Sequence, residues 1–362
     1  MVSKRISSID ALRAFALLGI LLVHTRHGFG AGHTNYSSMI DYVWGGVIYV
    51  LFEGKAALIF NILFGVSFYI ILRKPGYSIR KFVWRCLLLV IIGLVNRLFY
   101  DNDILVKYGV MGMCLVCVRN FSKEKLLLLS LSMFLLSIIV STLNLGELLV
   151  PEIGSRYVED ISMHDFICHY PYGLLSMVKG WLNDGFFPIF AFFCFGYWLG
   201  RVGIIDSMDK HISSAHVLIA FVIFALLGIA KIVFVTHFHT LLPIKTLFSN
   251  AFNVSGALFY WCALIFVYNN SNLSRKFLSY FESYGKCGLT NYSMQGFFGV
   301  VSFTFCGIAF KGYSFSYILL SAVSFYLFQT IISNFWLKRF RNGPMEFVWR
   351  CATERKVLQL KK

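Results

Sequence analysis

Most of the side chains able to take part in chemistry interrupt long apolar runs. His24 lies at the end of the first apolar run (residues 8–24), and Lys55 interrupts the second (43–72). Asn291 and Gln295 share one face of the ninth (287–310). An imidazole can exchange a proton near neutral pH, whereas an ammonium or an amide can hold an anionic oxygen. Polar groups at membrane depth are costly, and they usually face a protein interior or a water-filled cavity. These residues are therefore candidates for a functional site, with interhelical hydrogen bonding as the alternative.

The first run also carries a charged pair at its other end. Asp10 and Arg13 are one helical turn apart and are predicted to form an ion pair. At helical spacing Asp10, Arg13, Leu17 and His24 fall on one stripe, with His24 about 20 Å from the pair. One helix would thus present a charged pair near one membrane face and an imidazole near the other. The alternative is that the pair only locks helix packing.

Apolar runs of membrane-spanning length fill the chain of 362 residues, whose mean hydropathy is +0.70. About 20 apolar residues cross the hydrocarbon core. Runs such as Leu126–Leu143 lack the alternation of a membrane β-strand. The sequence therefore predicts an all-α, polytopic transmembrane helix bundle that forms a single integral membrane domain over residues 1–362. About ten spans are expected, at residues 8–24, 43–72, 83–100, 104–119, 126–143, 182–200, 213–236, 247–269, 287–310 and 314–335.

Basic residues are concentrated in alternate loops. With the N-terminus placed in the cytoplasm, 23 of the 33 lysines and arginines fall on the inner side. This bias is the one that the positive-inside rule predicts, and it places both termini in the cytoplasm. The net charge of +16 is therefore attributed to topology and to contact with anionic membrane lipids. Nucleic acid is not expected as a partner, because no basic soluble fold remains to bind it.

The cysteines and histidines do not predict a metal site. Cys114 and Cys117 form a C-x-x-C motif inside an apolar run, but no second pair accompanies them. A structural zinc site needs four converging ligands. Zinc bound by His33, His237 and His239 is an alternative that no carboxylate or cysteine spacing supports.

Five motifs in a fixed order resemble the YeiB-like bacterial membrane proteins, a domain-of-unknown-function family. The motifs are Arg5–Leu21, Gly54-Lys55 with Leu63-Phe64-Gly65, Asp103-Ile104-Leu105 with Tyr108, Gly285–Tyr292 with Gln295, and Gly343-Pro344 with Glu346 and Trp349-Arg350. The resemblance covers essentially the whole chain, and it implies a multi-pass protein of the bacterial inner membrane. The family is distantly similar to the transmembrane acyltransferases, which include heparan-α-glucosaminide N-acetyltransferase.

The resemblance implies transfer of an acyl group from cytoplasmic acyl-CoA to a glycan, lipid-linked or small-molecule acceptor at the outer face. We expect His24 to act as the base, and Lys55, Asn291 and Gln295 to contact the oxyanion or the acceptor. Arg13, paired with Asp10, and the inner basic loops would hold the phosphates of the donor. His24 departs from the family pattern, in which Asn is common at this position.

Two other functions remain open. In a transporter or flippase for a small polar or lipid-linked substrate, the charged residues within spans, Glu53, Lys55, Lys107 and Lys231, would form a relay or a binding site. The sequence has no internal repeat to support this alternative. The third possibility is a non-catalytic protein that supports envelope assembly. A homo-oligomer is compatible with all three functions.

Overall fold

The computed structural model describes residues 7–30, 34–98, 100, 103–143, 168, 170–181, 185–205, 212–237, 242–302 and 313–362. These residues are almost entirely helical, which confirms the all-α prediction. The helices are α1 (Ser7–Arg26), α2 (Met39–Leu51), α3 (Lys55–Leu72), α4 (Ile79–Asn96), α5 (Leu105–Cys117), α6 (Lys123–Leu143), α7 (Tyr170–Gly180), α8 (Phe186–Val202), α9 (Ser214–His237), α10 (Leu242–Asn270), α11 (Asn272–Lys286), α12 (Gly288–Val300), α13 (Phe315–Arg339) and α14 (Pro344–Glu354).

Within the described ranges, six helical stretches are long and apolar enough to cross a membrane. They are Ser7–Arg26, Met39–Leu72, Lys123–Leu143, Ser214–Phe234, Ile244–Asn270 and Phe315–Arg339. Two shorter apolar helices, α5 and α8, correspond to further predicted spans. The number of ten spans and the cytoplasmic position of both termini stay predictions. Most of the predicted outer loop 144–181 lies outside the described residues, although α7 falls within its range.

The first helix lies at the centre of the bundle. It packs against α2, α3, α10, α11, α12 and α13, and the side chains of Leu12, Ala14, Ala16 and Leu17 are fully buried. In contrast, α9 packs mainly on α10, and only 6% of its apolar window is buried within the protein. The apolar side chains of α9 therefore lie on the outside of the bundle, as expected of a membrane-spanning helix. Because α1 contacts so many helices, its polar residues can reach several different parts of the bundle.

Two glycines let α3 and α8 approach closely. A Cβ atom at Gly65 would lie 2.1 Å from the backbone oxygen of Phe193, and one at Gly196 would lie 2.0 Å from that of Ile62. No side chain fits at such distances, so glycine is required at both positions. Ser130 strengthens the next contact, since its hydroxyl on α6 donates to the backbone oxygen of Ala191 at 2.8 Å.

The helix directions define two ends of the bundle. Arg13 of α1 contacts Ser67 of α3, whereas Gly19 lies against Ala56, so α1 and α3 are antiparallel. We call the end that contains the α3–α4, α5–α6 and α13–α14 junctions the basic end. The end that contains the α2–α3 and α4–α5 junctions is called the opposite end. The basic end corresponds to the side predicted to face the cytoplasm.

The second predicted span is divided near the opposite end. α2 ends at Leu51 and α3 begins at Lys55, with Gly54 between them at φ 77°, in the left-handed region that favours glycine. A Cβ atom at Gly54 would also lie 2.3 Å from the side-chain amide nitrogen of Asn253. The break therefore depends on a residue without a side chain, and it brings Glu53 and Lys55 to the end of a helix.

Two of the motif residues lie at helix ends. Asp103 caps α5, because its carboxylate accepts a hydrogen bond from the backbone N–H of Leu105 at 2.8 Å. The Gly343-Pro344 turn leads into the short amphipathic helix α14. Glu346 of α14 accepts hydrogen bonds from the backbone N–H groups of Leu289 (2.6 Å) and Thr290 (3.2 Å), and it thereby caps α12.

Candidate functional site

Lys55 is a buried lysine with no ion-pair partner among the described carboxylates. Its side chain is 1% exposed. The ammonium donates to the backbone oxygen of Glu53 at 3.2 Å and to Oδ1 of Asn253 at 3.0 Å, and it lies 4.0 Å from the ring centroid of Phe252. These neutral groups stabilise the cation, but they do not neutralise it. A buried charge of this kind is a strong candidate for a functional site.

The carboxylate nearest in sequence is already occupied by other cations. Glu53 binds Arg26 through Oε2 at 2.5 Å and faces Nε2 of His27 through Oε1 at 3.5 Å. As predicted, Glu53 and Lys55 therefore find their partners elsewhere in the bundle rather than in each other. A carboxylate beside an imidazole can orient the ring, the relation found in many acid–base sites.

A second lysine adds to the positive charge of this region. Lys231 of α9 lies 5.2 Å from the ring centroid of Phe252, the ring that also faces Lys55, and 4.6 Å from that of Tyr49. Arg26, Lys55 and Lys231 thus surround one described carboxylate, Glu53. This cluster at the opposite end, which we call the cation cluster, carries an excess of positive charge that an anion would neutralise.

The cation cluster borders a cavity of about 230 Å³. Arg26 lines this cavity together with Tyr36, Tyr42, Gly45 and Gly46. The Nε atom of Arg26 is buried and makes no hydrogen bond to any described residue. The cavity therefore lies beside Arg26, at one edge of the cation cluster.

His24 points to a different part of the bundle. Its ring lies 4.8 Å from the ring of Tyr100 and 5.8 Å from that of Phe29, measured between centroids. Successive helical residues are rotated by about 100°, so His24 is turned about 140° from Gly19, which faces α3. His24 thus shares the helix face of Leu17, whereas Arg26 shares that of Gly19. The sequence pattern placed His24 correctly along α1 but did not define its neighbours.

Asp10 and Arg13 form the predicted ion pair, at 2.9 Å between Oδ1 and Nη1. Arg13 also donates to the hydroxyl of Ser67 at 2.7 Å, which links α1 to α3. Asp10 is 1% exposed, and its backbone oxygen would lie 2.0 Å from a Cβ atom at Gly285. The pair is therefore placed where α1, α3 and α11 meet, toward the basic end. Its assignment to donor phosphates stays a prediction.

Asn291 and Gln295 belong to one buried hydrogen-bond network. Asn291 donates to the backbone oxygen of Tyr284 and to the hydroxyl of Ser333, each at 3.0 Å. Gln295 donates to the hydroxyl of Tyr284 at 2.7 Å and to the backbone oxygen of Leu17 at 3.3 Å. The network ties α1, α11, α12 and α13 together. Oε1 of Gln295 is buried without a hydrogen-bond partner in the described chain, so one acceptor remains available.

The structure consequently separates the predicted site residues into four places. Lys55 lies in the cation cluster, His24 lies against Tyr100, and Arg13 with Asp10 lies toward the basic end. Asn291 and Gln295 lie between them, inside the helix network. The contacts described above do not join His24, Lys55 and Arg13 to one another, and a site shared by the three residues stays a prediction.

Sequence reasoning did not identify the neutral residues that hold Lys55. Asn253 and Phe252 lie on α10, far away in sequence, and no spacing rule connects them with Lys55. Gly256 lets the lysine stem lie flat, since a Cβ atom there would lie 2.9 Å from Cδ and Cε of Lys55. His27 was recognised only as an outer-side histidine, although it lies beside Glu53. No group of three or more metal-ligating residues occurs in the described parts of the chain.

The apolar helices and the polar residues within them define a helical membrane protein. Residues 199–356 match the family model described as "Protein of unknown function (DUF418)". The chain is 25% identical to "Uncharacterized protein YxaH" of Bacillus subtilis over 394 residues, which covers 98% of this chain and 95% of that protein. It is 26% identical to "Uncharacterized protein YeiB" of Escherichia coli, with 97% of each chain covered. These similarities support the predicted resemblance to the YeiB-like family: the C-terminal part of the chain matches the family model, and the whole chain is similar to YxaH and YeiB.

Proposed function

We propose that this protein is a membrane acyltransferase of the bacterial inner membrane. It would move an acyl group from cytoplasmic acyl-CoA to a glycan, lipid-linked or small-molecule acceptor at the outer face. The observation that carries the proposal is the burial of Lys55, without a described carboxylate partner, next to the His27–Glu53 contact. This arrangement supplies a positive charge and an imidazole at one end of the bundle.

Acyl transfer from a thioester needs two kinds of group. A base must accept a proton from the acceptor hydroxyl or amine, and a donor must stabilise the negative charge that develops on the carbonyl oxygen. In the proposed site His27, oriented by Glu53, is the base, and the Lys55 ammonium stabilises the oxyanion. Asn253 keeps Lys55 in place through the hydrogen bond of 3.0 Å. His24, three residues earlier in the chain and in contact with Tyr100, remains the alternative base.

The test measures acyl-CoA turnover by the purified full-length protein in proteoliposomes. It compares variants that lack the imidazole of His27 or that of His24. We expect His27→Ala and Lys55→Met each to lower the release of free CoA thiol by about 100-fold or more, the usual contribution of a general base or an oxyanion donor. His24→Ala should lower it less. His216→Ala is the matched control, because His216 is an exposed histidine beside Ser213, at the start of α9.

The possible results distinguish a wrong role for a residue from a wrong function for the protein. Loss of turnover in His24→Ala with normal turnover in His27→Ala would assign the base to His24. Normal turnover in both Lys55→Met and His27→Ala would contradict the proposed site. Absence of acyl-CoA-dependent turnover in the parent protein, with any glycan or lipid acceptor supplied, would contradict the acyltransferase proposal itself.

A transporter is the second candidate, and the divided second span favours it. Helix breaks with ionisable residues near them form the substrate sites of many secondary transporters. Here the break at residues 52–54 lies beside Lys55, and Lys231 is close by through Phe252. Uptake of an anionic substrate into proteoliposomes without acyl-CoA, lost in Lys55→Met, would favour transport over acyl transfer.

A further inference from the structure

A second group of cations lies at the basic end, where α14 docks on the beginning of α4. The docking is built from tryptophans. Nε1 of Trp84 donates to the backbone oxygen of Ala352, and Nε1 of Trp349 donates to the backbone oxygen of Arg85, each at 3.0 Å. These bonds fix the position of α14 against α4. The cationic side chains around the contact are consequently held by the fold rather than scattered over loops.

Arg85 stacks on a tryptophan ring and has no carboxylate partner among the described residues. Its guanidinium carbon lies 3.8 Å from the centre of the Trp349 ring, so the planar group stacks on the indole. No carboxylate in the described chain accepts a hydrogen bond from it. The acid that lies nearby, Glu354, binds Lys81 instead. Stacking fixes the guanidinium plane and leaves its N–H edges for another acceptor.

Lys74 and Arg350 add two further charges to this group. The pKa of Lys74 is lowered, first by partial desolvation and then by the nearby positive charges of Arg85 and Arg350. Arg350 donates to the neutral side-chain oxygen of Asn342 at 2.6 Å. Positive charges are therefore close enough to repel one another. Such an arrangement is stabilised when an anion lies between them.

Tyr77 supplies a polar donor in the same place. Its ring lies 5.6 Å from the ammonium of Lys81. Its hydroxyl is buried beside Arg85, but it makes no hydrogen bond of normal geometry to any described residue. A buried hydroxyl without a partner is costly, and the usual partner is a bound polar group. The Tyr77 hydroxyl is thus a buried donor next to the Arg85 guanidinium, and it has no acceptor of its own among the described residues.

The chemistry of these donors favours phosphate. A stacked guanidinium group binds phosphate oxygens with two parallel N–H groups, whereas an ammonium group binds them as a point charge. A ligand with one carboxylate would leave most of the surrounding charge uncompensated. The position next to the membrane surface allows two sources of phosphate, a soluble polyphosphate group and the headgroup of an anionic lipid.

We propose that Tyr77, Arg85, Lys74 and Arg350 form a phosphate-binding site between α4 and α14. The inference rests on the proposed function only for the identity of its natural ligand, which would be the phosphate-bearing part of the acyl donor. The site itself follows from the stacking of Arg85, the unpaired hydroxyl of Tyr77 and the excess of cations over carboxylates. The phosphate-binding site lies at the basic end, whereas the cation cluster around Lys55 lies at the opposite end.

The experiment measures phosphate binding without turnover. The full-length protein is placed in nanodiscs of zwitterionic phosphatidylcholine, and the binding of pyrophosphate is measured by calorimetry. In a second arm, native mass spectrometry measures retention of phosphatidylglycerol from mixed nanodiscs. The variants are Lys74→Gln, which replaces an exposed side chain and should fold, and Arg85→Gln. Lys125→Gln is the control, since Lys125 is an exposed lysine at the start of α6, also at the basic end.

We expect Lys74→Gln and Arg85→Gln to weaken pyrophosphate binding by about tenfold or more, the effect of one charge-assisted hydrogen bond, and Lys125→Gln to leave it unchanged. If the parent binds pyrophosphate, the site takes a soluble ligand. If the parent instead retains phosphatidylglycerol in a manner that depends on Lys74, the site takes a lipid headgroup. Equal binding by Lys74→Gln, Lys125→Gln and the parent in both arms would overturn the proposal. Turnover that still depends on His27 would then leave the proposed function intact.

Discussion

A buried ammonium held by an amide, a backbone oxygen and an aromatic ring is expensive for a membrane protein to keep. Lys55 has this environment, and Gly256 provides the space for its stem. Replacing the lysine with an apolar side chain of similar volume would remove the cost of desolvation. Under the proposed function, this cost is offset when the ammonium stabilises the negative charge of the reacting acyl group.

Asp103 allows a prediction at the scale of one residue. Burial raises the pKa of this carboxyl to about 6, although hydrogen bonds from Asn96 and Leu105 and the charge of Arg97 act in the other direction. The folded pKa is above the unfolded value of about 3.9, so the folded protein binds the proton more tightly. This contribution to stability is full below about pH 4 and is lost as the pH rises through about 6.

Asp103→Asn removes this titration. We expect the melting temperature of the parent to fall more than that of Asp103→Asn when the pH is raised from about 5 to about 7. Thermal unfolding of both proteins in the same detergent measures the difference. Parallel changes in the two proteins would show that the carboxyl titrates at its ordinary pKa, and that burial does not control its protonation.

The individual elements could be predicted to different degrees. Long apolar runs predicted the helices, because the hydropathy of about 20 residues depends little on which other helices pack against them. The Asp10–Arg13 pair and the Asp103 cap were also predictable, since both depend on residues within one helical turn. In contrast, the contact between Lys55 and Asn253 joins residues far apart in sequence, and no local pattern encodes it.

Glycine contacts make the close pairing of α3 and α8 testable. A Cβ atom at Gly65 would lie 2.1 Å from a backbone oxygen, which cannot move without shifting α8. We expect Gly65→Ala to lower the free energy of unfolding by about 1–3 kcal/mol, the usual cost of overpacking. Gly46→Ala is the matched control, because no atom lies within 4 Å of a Cβ at that position. Equal melting temperatures for the two variants would contradict the close contact.

At the scale of the whole molecule, charge is divided between two ends. The cation cluster around Lys55 lies at the opposite end, whereas Arg85 and its neighbours lie at the basic end beside α14. The loop charges predicted the cations at the basic end, because lysines and arginines are counted without knowing their contacts, but they did not predict the cation cluster at the opposite end. They did not reveal that particular cations lack carboxylate partners. That information depends on how α4, α10 and α14 pack, and it becomes visible only in three dimensions.

The two ends suit an enzyme that receives its donor on one side and its acceptor on the other. The phosphate-binding site proposed at the basic end would hold the donor. The centre proposed around His27 and Lys55 would act on the acceptor. The central helix α1 connects the two, with Asp10 and Arg13 toward one end and Arg26 at the other.

The most direct test of the account is mass spectrometry of envelope glycans and lipids from three otherwise identical bacterial strains. One strain produces the parent protein, one produces Lys55→Met at equal abundance, and one lacks the gene. We predict that molecules heavier by the mass of one acyl group appear with the parent protein and are absent from the other two strains. Identical profiles in all three strains, or an equal amount of acylated product with Lys55→Met, would contradict the claim that the buried lysine serves acyl transfer.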